Sequence, residues 1–450
     1  MKTTPRFLLP ILSAFALAAG FASAGTDCWT YTPPPAGRTR GSISWTDSSG
    51  FENVVQGIVL TDGKISIYSN QNSNSDTLRN LDCSLPVRDE NGNDLAWSPD
   101  AFKGTNGQNV IGNSTHLTNV ILPSVCTSLG VYCFKSDTAL VRVRLNDGLV
   151  SIGGNAFVGC SALETIDNFL PDSLTSVGEF AFDGCRKLKG DCTANGVVSI
   201  KQRGFRYCNL IRRFDFGGSP LETIGEAAFY ENTNLVSVVF PDTLTNIAST
   251  AFSNCKNLRS VTPLLPPRLA KIGGDSSSSF TDCPLEGHLV SPSTLERIPT
   301  RAFRYTSLET FTGPKKGLKS VGEKAFYGVT TLTNVVLSTS LERIEAEWLS
   351  ASGTAGVEQH VWFRNLPASL PSTLWTGTKK LNVTIHLPWS RRDAWREWVA
   401  SGPAGHTFTF NGATKTLPEH RNEFGTWQAG ILQNVTWWKD LDEPTLVLIK

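Results

Sequence analysis

At positions 177, 224 and 321 the chain repeats one arrangement of apolar and polar residues, read as VGEFAF, IGEAAF and VGEKAF. The aliphatic residue that opens each of them belongs to a longer series: Leu129, Ile152, Val177, Ile200, Ile224, Ile247, Ile272, Ile298, Val321 and Ile344. Neighbouring members stand 23 to 26 residues apart. Five residues after the aliphatic comes a ring, as in Phe134, Phe157, Phe182, Phe205, Phe229, Phe252, Phe303 and Phe326; Phe280 is displaced by the insertion GGDSSSSF, and the tenth copy places Leu349 there. A small residue precedes the ring in nine copies, and Trp348 breaks the rule in the tenth. Six residues after the ring an aliphatic usually returns and opens a short alternating run such as LVSVVF, whose period of two predicts a half-buried strand.

Each period therefore predicts one strand and one short helical or irregular segment. A single such coil leaves its phenylalanine in water, whereas a stacked neighbour covers it, at roughly 2–3 kcal/mol per ring buried. The fold class that follows is a repeat solenoid of about ten coils over 96–350, and a narrow sequence period overrides the expectation of two or three separate globular domains for a chain of 450 residues. AWSPDAF, with Trp97 and Phe102 five apart, reads as an irregular leading coil.

The wording LETIDNFLPDSLTSVGEFAFDGCRKL (163–188), and again NLVSVVFPDTLTNIASTAFSNCKNL (234–258), resembles the BspA-like branch of the leucine-rich repeats. The resemblance covers about residues 95–350. It implies an extracellular, bacterial interaction scaffold, with adhesion to host or extracellular-matrix proteins and to other cells as the family-level expectation.

Before the repeats, 25–95 holds the alternating segments SISWTD and GKISIYSN, which predict a β-rich N-terminal cap over the open edge of the first coil. After 350 the register fails and nine of the twelve tryptophans lie from Trp348 onward, so 351–450 reads as a Trp-rich, mixed α/β capping module. Within it LNVTIHLP alternates as a strand, and Ser390 with Asp393 forms a capping box for a helix that carries Trp395 and Trp398 on one face. The first 24 residues combine Lys2 and Arg6, the apolar run FLLPILSAFALAAGF and the small-x-small site Ala22-Ser23-Ala24, the features of a secretory signal peptide. No later stretch has membrane-spanning length in this reading.

Ten cysteines in a secreted chain invite disulfides, yet Cys160, Cys185, Cys208, Cys255 and Cys283 all stand three residues after a spine ring, and Cys133 fills the small-residue slot. These six read as reduced, core-filling residues, with cross-links between neighbouring coils as the alternative. Cys28, Cys83, Cys126 and Cys192 fall outside that column, and a Cys28–Cys83 bridge closing the cap is the preferred pairing among them.

Charge narrows the partners. The chain has 41 basic and 40 acidic residues, and the leader removes Lys2 and Arg6, so the mature protein lies one charge to the acidic side and nucleic acid is not expected. His116, His288, His360, His386, His406 and His420 form no metal-ligand spacing along the chain, and no nucleophile elbow or phosphate loop appears. Asp393 and Glu397 are flanked by Arg392 and Arg396, the composition of a salt-bridged helix face. No enzyme, cofactor or metal is expected.

What remains is a binding surface. Alternation from Leu140 turns Val143 and Leu145 inward and Arg142 and Arg144 outward, followed by Thr165 and Asp167, Gly190, then Arg213 and Asp215. Arg142, Arg144, Arg213, Asp167 and Asp215 are thus the candidate contacts for a protein partner. The alternatives are glycan binding through Trp437 and Trp438, adjacent rings of which one points outward in an extended segment, or a purely structural scaffold.

Overall fold

A computed structural model describes residues 28–68, 77–103, 110–274, 279–349 and 359–365, together with the strands Val383–Pro388, Thr407–Phe410, Ala413–Thr416, Thr426–Ala429 and Leu432–Trp438. The leader and the segment from Ser390 through Trp398 lie outside the described residues. Among the described residues there is no helix, and hence none long and apolar enough to cross a membrane.

The N-terminal strands close into a six-stranded barrel: Trp29–Thr32, Gly41–Thr46, Glu52–Thr61, Lys64–Ile67, Val87–Arg88 and Asp94–Trp97. Strict alternation in GSISWT buries Ile43 and Trp45 while the serines and threonine between them stay partly exposed. Asp62 and Gly63 both take positive φ, +50° and +69°, the two-residue turn that matches strand twist and joins Thr61 to Lys64. A polar chain then ties barrel to solenoid: Asn53 and Asn80 donate to Asp47, and Asn119 donates to Asn80 at 2.8 Å. The strand Asn80–Asp82, which lies in sequence between barrel strands, pairs in parallel with Asn119–Ile121 and so opens the solenoid ladder beneath the barrel.

Each later coil has three sides. One is a strand of three to six residues, such as Arg142–Arg144 or Ser237–Val239, whose central residue is buried. The second is a two-residue strand ending in the aliphatic of the repeat, from Ser128–Leu129 to Arg343–Ile344. The third is the corner that carries the ring. There the amide of each phenylalanine from Phe134 to Phe326 donates to the carbonyl before the next coil's ring position, at 2.7–3.2 Å. The rings stack at centroid separations of 4.9–5.9 Å with planes within 15° of each other, and Phe102 stands at the head of the column, 5.9 Å from Phe134.

The corner shows why the second segment is irregular rather than helical. Residues two before and two after the ring adopt positive φ in coil after coil: Asn155 and Gly159 around Phe157, Arg203 and Tyr207 around Phe205, Arg301 and Tyr305 around Phe303. A left-handed residue every fourth position prevents any helical turn from continuing.

None of the ten cysteines forms a disulfide. Sγ of Cys160, Cys185, Cys208, Cys255 and Cys283 each donates to the carbonyl of the previous coil's ring residue at 2.9–3.2 Å. The expected Cys28–Cys83 bridge is absent. Register explains this, because Trp29 pairs with Val87, which places Cys28 beside Pro86 and Arg88, whereas Cys83, just after the strand Asn80–Asp82, is buried beside Cys126.

The long-strand side is divided into three sheets. Its ladder is interrupted between Thr165–Asp167 and Lys189–Thr193, and again between Ser260–Thr262 and Glu286–Val290. Both interruptions follow coils that insert two residues after the strand, Asn168-Phe169 and Pro263-Leu264, so the wider corner carries the backbone off the ladder. Phe169 turns its ring edge-on against Phe182 and Phe205. The short-strand ladder runs unbroken past the first interruption, from Leu129 to Ile272, then stops and resumes at Arg297–Ile298. Between Ile272 and Glu286, therefore, both ladders are open at once, and a cleft of about 440 Å³ lined by Lys271, Gly274, Glu296 and Arg297 lies there.

Candidate functional site, the outward face of the long strands

Parallel pairing sets the outward residues in columns. Arg142 lies beside Asn119 and Thr165, and Arg144 beside Ile121 and Asp167. One coil on, the expected register shifts. A bulge at Gly190/Asp191 makes Cys192 the inward residue opposite Phe214 and turns Asp191 and Thr193 outward, so Gly190 is exposed as simple alternation indicates and Asp191 joins it. The cause lies in the run LKGDCT, whose glycine at φ +116° takes up the extra residue. Arg213 and Asp215 follow beside Asp191 and Thr193.

The candidate arginines are not equivalent. Arg142 Nε donates to Asp167 Oδ2 at 2.7 Å, with about a third of each side chain exposed. Arg213 Nη2 donates to Asp215 Oδ2 at 2.9 Å along its own strand. Arg144 is exposed and makes no ion pair among the described residues. It overlooks a cleft of about 580 Å³ between the barrel, at Leu85 and Pro86, and the turn Pro123–Val125. Val125, 46% exposed, supplies an apolar wall to the same cleft. The structure thus brings Arg142, Arg144 and Asp167 together and holds Arg213 and Asp215 in the next sheet, across the first interruption.

Trp437 and Trp438 end the strand Leu432–Trp438, which runs parallel to Val383–Pro388; their side chains lie outside the described residues. Toward that end the outward columns carry histidine. His288 Nδ1 stands 3.0 Å from Thr310 Oγ1, and His360 Nδ1 stands 3.0 Å from His386 Nε2. A search for short ligand spacings along the chain passes over His360 and His386. One coil on, His360 pairs with Thr384, and His386, two residues further along that strand and on the same face, stands diagonal to it.

Several buried cysteines off this face are poor sites for thiol chemistry. Burial pushes the thiols of Cys83, Cys133, Cys160, Cys185, Cys208 and Cys283 well up, and that of Cys126 to about 12, so none is a ready thiolate. No group of three or more His, Cys, Asp and Glu side chains among the described residues is placed to hold a metal ion.

Among curated proteins, no sequence matches this chain. Among solved structures it is similar to a leucine-rich repeat protein from Bacteroides ovatus, at 19% identity over 78% of this chain and 97% of the other, with a TM-score of 0.48. It is also similar to a leucine rich cell surface protein from Faecalibacterium prausnitzii, at 19% identity over 66% and 89% of the two chains and a TM-score of 0.29. The pneumococcal vaccine antigen PcpA is a third, at 12% identity over 82% and 96% and a TM-score of 0.28. These likenesses add nothing about a partner. The BspA type Leucine rich repeat region matches residues 105–229, 168–284 and 222–355, more than half of the chain, and with the stacked coils described above this makes the protein a member of the BspA-type leucine-rich repeat family.

Proposed function

We propose that the protein is a secreted or surface-exposed scaffold that binds a protein partner through the outward face of its long strands, with Arg144 as the principal anchor. The division into a leader (1–24), an N-terminal cap (25–95), a solenoid (96–350) and a C-terminal capping module (351–450) belongs to the same proposal. The partner class is a host or extracellular-matrix protein, or a protein on another cell.

One observation carries the reading. The face offers an exposed guanidinium without an ion pair among the described residues, beside a half-open cleft with an exposed apolar wall. Arginine at such a place forks onto carboxylates and is enriched where interfaces concentrate their energy. Parallel strands about 4.8 Å apart give ten coils a face on the order of 45 Å long, room for a standard protein interface.

The test measures binding of the mature chain to extracellular-matrix proteins and to intact cells. Arg144→Ser is expected to weaken binding about tenfold at low salt and less at high salt, whereas Arg142→Ser and Arg213→Ser, which begin from paired arginines, have smaller effects. Unchanged binding in an Arg142, Arg144, Arg213 triple serine variant, with loss on changing Trp437 and Trp438, would transfer the function to the C-terminal module.

A further inference from the structure

We infer that the cleft beside Arg144 receives the C-terminal end of a partner chain, with the terminal carboxylate on the guanidinium and the last, aliphatic side chain on the apolar floor. This deepens the proposed function and rests on its reading of Arg144 as an anchor, to which it adds the chemistry of what is anchored.

Floor and guanidinium are neighbours. Parallel pairing sets Arg144 directly beside Ile121, one strand and about 4.8 Å away. Ile121 is on the outward side by register, yet it is only 7% exposed and lines the cleft together with Leu85, Pro86 and Val125. Both walls are held before any ligand arrives. Asn146 Nδ2 donates to the carbonyls of Pro123 and Cys126, at 2.6 and 2.8 Å, and fixes the turn that carries Val125. On the barrel side Val87 pairs with both Leu95 and Trp29, which fixes the stretch that follows Leu85 and Pro86. The volume of about 580 Å³ falls within the roughly 300–1,000 Å³ of ligand clefts, room for a chain end and not for a folded element.

Charge and reach select the occupant. Among the described lining residues Arg144 is the one cation and Asp147 the one carboxylate, so the cleft is neutral as a whole and suits a single carboxylate rather than a polyanion. An internal Asp or Glu brings that carboxylate without the apolar group, because successive side chains of an extended segment point to opposite faces. A terminal residue carries both on one Cα, and the reach from its carboxylate to the end of a leucine side chain matches one strand spacing. Guanidinium forks onto a planar carboxylate through two parallel hydrogen bonds, which also sets the direction of the entering chain. Asp147, whose Oδ1 accepts from Asn168 Nδ2 at 2.8 Å, disfavours a second acid near the chain end.

The test measures the fluorescence anisotropy of N-terminally labelled tetrapeptides, Gly-Ser-Val-Leu and Gly-Ser-Ala-Ile, with the mature protein at neutral pH and low salt. One saturable site is expected. Amidation of the peptide C-terminus is expected to weaken binding at least about tenfold, and Arg144→Gln to weaken the free acid by a similar factor while leaving the amide unchanged. Val125→Ser weakens both forms, and Arg213→Gln, in the next sheet, changes neither. Arg144 is exposed, so its replacement leaves the thermal midpoint in place. The inference is overturned by absence of saturable binding up to millimolar peptide, by equal binding of acid and amide, or by binding of the free acid that survives Arg144→Gln. An amidated peptide with an internal glutamate that binds as well as the free acid also overturns it, in favour of an ordinary acidic segment. Loss of matrix-protein or cell binding in Arg144→Ser without any peptide binding overturns this inference alone and leaves the arginine face standing. Peptide binding alongside unchanged matrix-protein and cell binding in Arg144→Ser supports the cleft and overturns the broader reading instead.

Discussion

Asp137 occupies the position three residues after Phe134, the place where later coils carry Cys160, Cys185 and Cys208. It is fully buried, accepts a hydrogen bond from the Ser114 amide at 2.6 Å through one oxygen, and has no partner for the other among the described residues. Burial, partly offset by that bond, pushes its carboxyl from an ordinary value near 3.8 up to about 7. Because the folded value is the higher one, its contribution to stability is fully present below about pH 4 and is lost as pH rises through about 7. The gap is worth on the order of 4 kcal/mol. Asp137→Asn is expected to remove this dependence and to be more stable than the parent at pH 8; denaturant midpoints at pH 5 and pH 8 that run parallel in the two proteins would contradict the assignment. The column of cysteines was legible in the sequence from its offset to the ring. That Asp137 and Asn232 share the same buried slot was not, because a polar residue there reads as surface until the ring column is built around it.

A coil as an element is legible through its period, its aliphatic and its ring. Phe229 is fully buried between Phe205, 5.6 Å away, and Phe252, 4.9 Å away, with Phe214 meeting it edge-on. Phe229→Ala is expected to cost about 3–5 kcal/mol, since the cavity opens onto two neighbouring coils. Glu226, exposed in the same coil, should cost under about 0.5 kcal/mol on replacement by alanine. Comparable urea midpoints for the two variants would refute the packing described. The glycine after the aliphatic follows a tighter rule. A Cβ on Gly178 would lie 2.6 Å from the backbone of Gly153 and Gly154, a contact that no rotamer relieves, so the glycines at these places hold successive coils at their short spacing. Three features escaped the pattern for definite reasons. The helical option failed because left-handed residues bracket each ring, and nothing in the varied identities at those positions, from Phe180 to Arg203 to Lys324, announces the conformation. The outward turn of Asp191 was missed because the bulge beside Gly190 adds a residue that alternation does not count. The Cys28–Cys83 pairing overlooked strand register, which only the closed barrel supplies.

At the scale of the whole molecule, the ring column is continuous while the two strand ladders are not. Near Ile272 both ladders lapse together, and the contacts that join the coils on either side include the stacked rings Phe252, Phe280 and Phe303, the amide of Phe252 to Ser279, the amide of Glu286 to Arg259, the Thr294 hydroxyl to the Leu269 carbonyl, and the Arg259–Glu286 ion pair. In a linear array, cohesion at any cross-section is the sum of what crosses it. Here, among the described residues, that sum lacks strand pairing. The candidate arginine face and the histidine pair lie on opposite sides of this cross-section. Drawn end to end under force, the molecule is therefore expected to part at one weak link, releasing its N-terminal and C-terminal coils in separate steps of a force–extension trace, where a uniform solenoid would peel coil by coil from an end. Deleting the inserted Pro263 and Leu264, which restores the shorter period, is expected to merge the two steps; a protein bound across that link would be held less tightly whenever its anchor points were pulled apart.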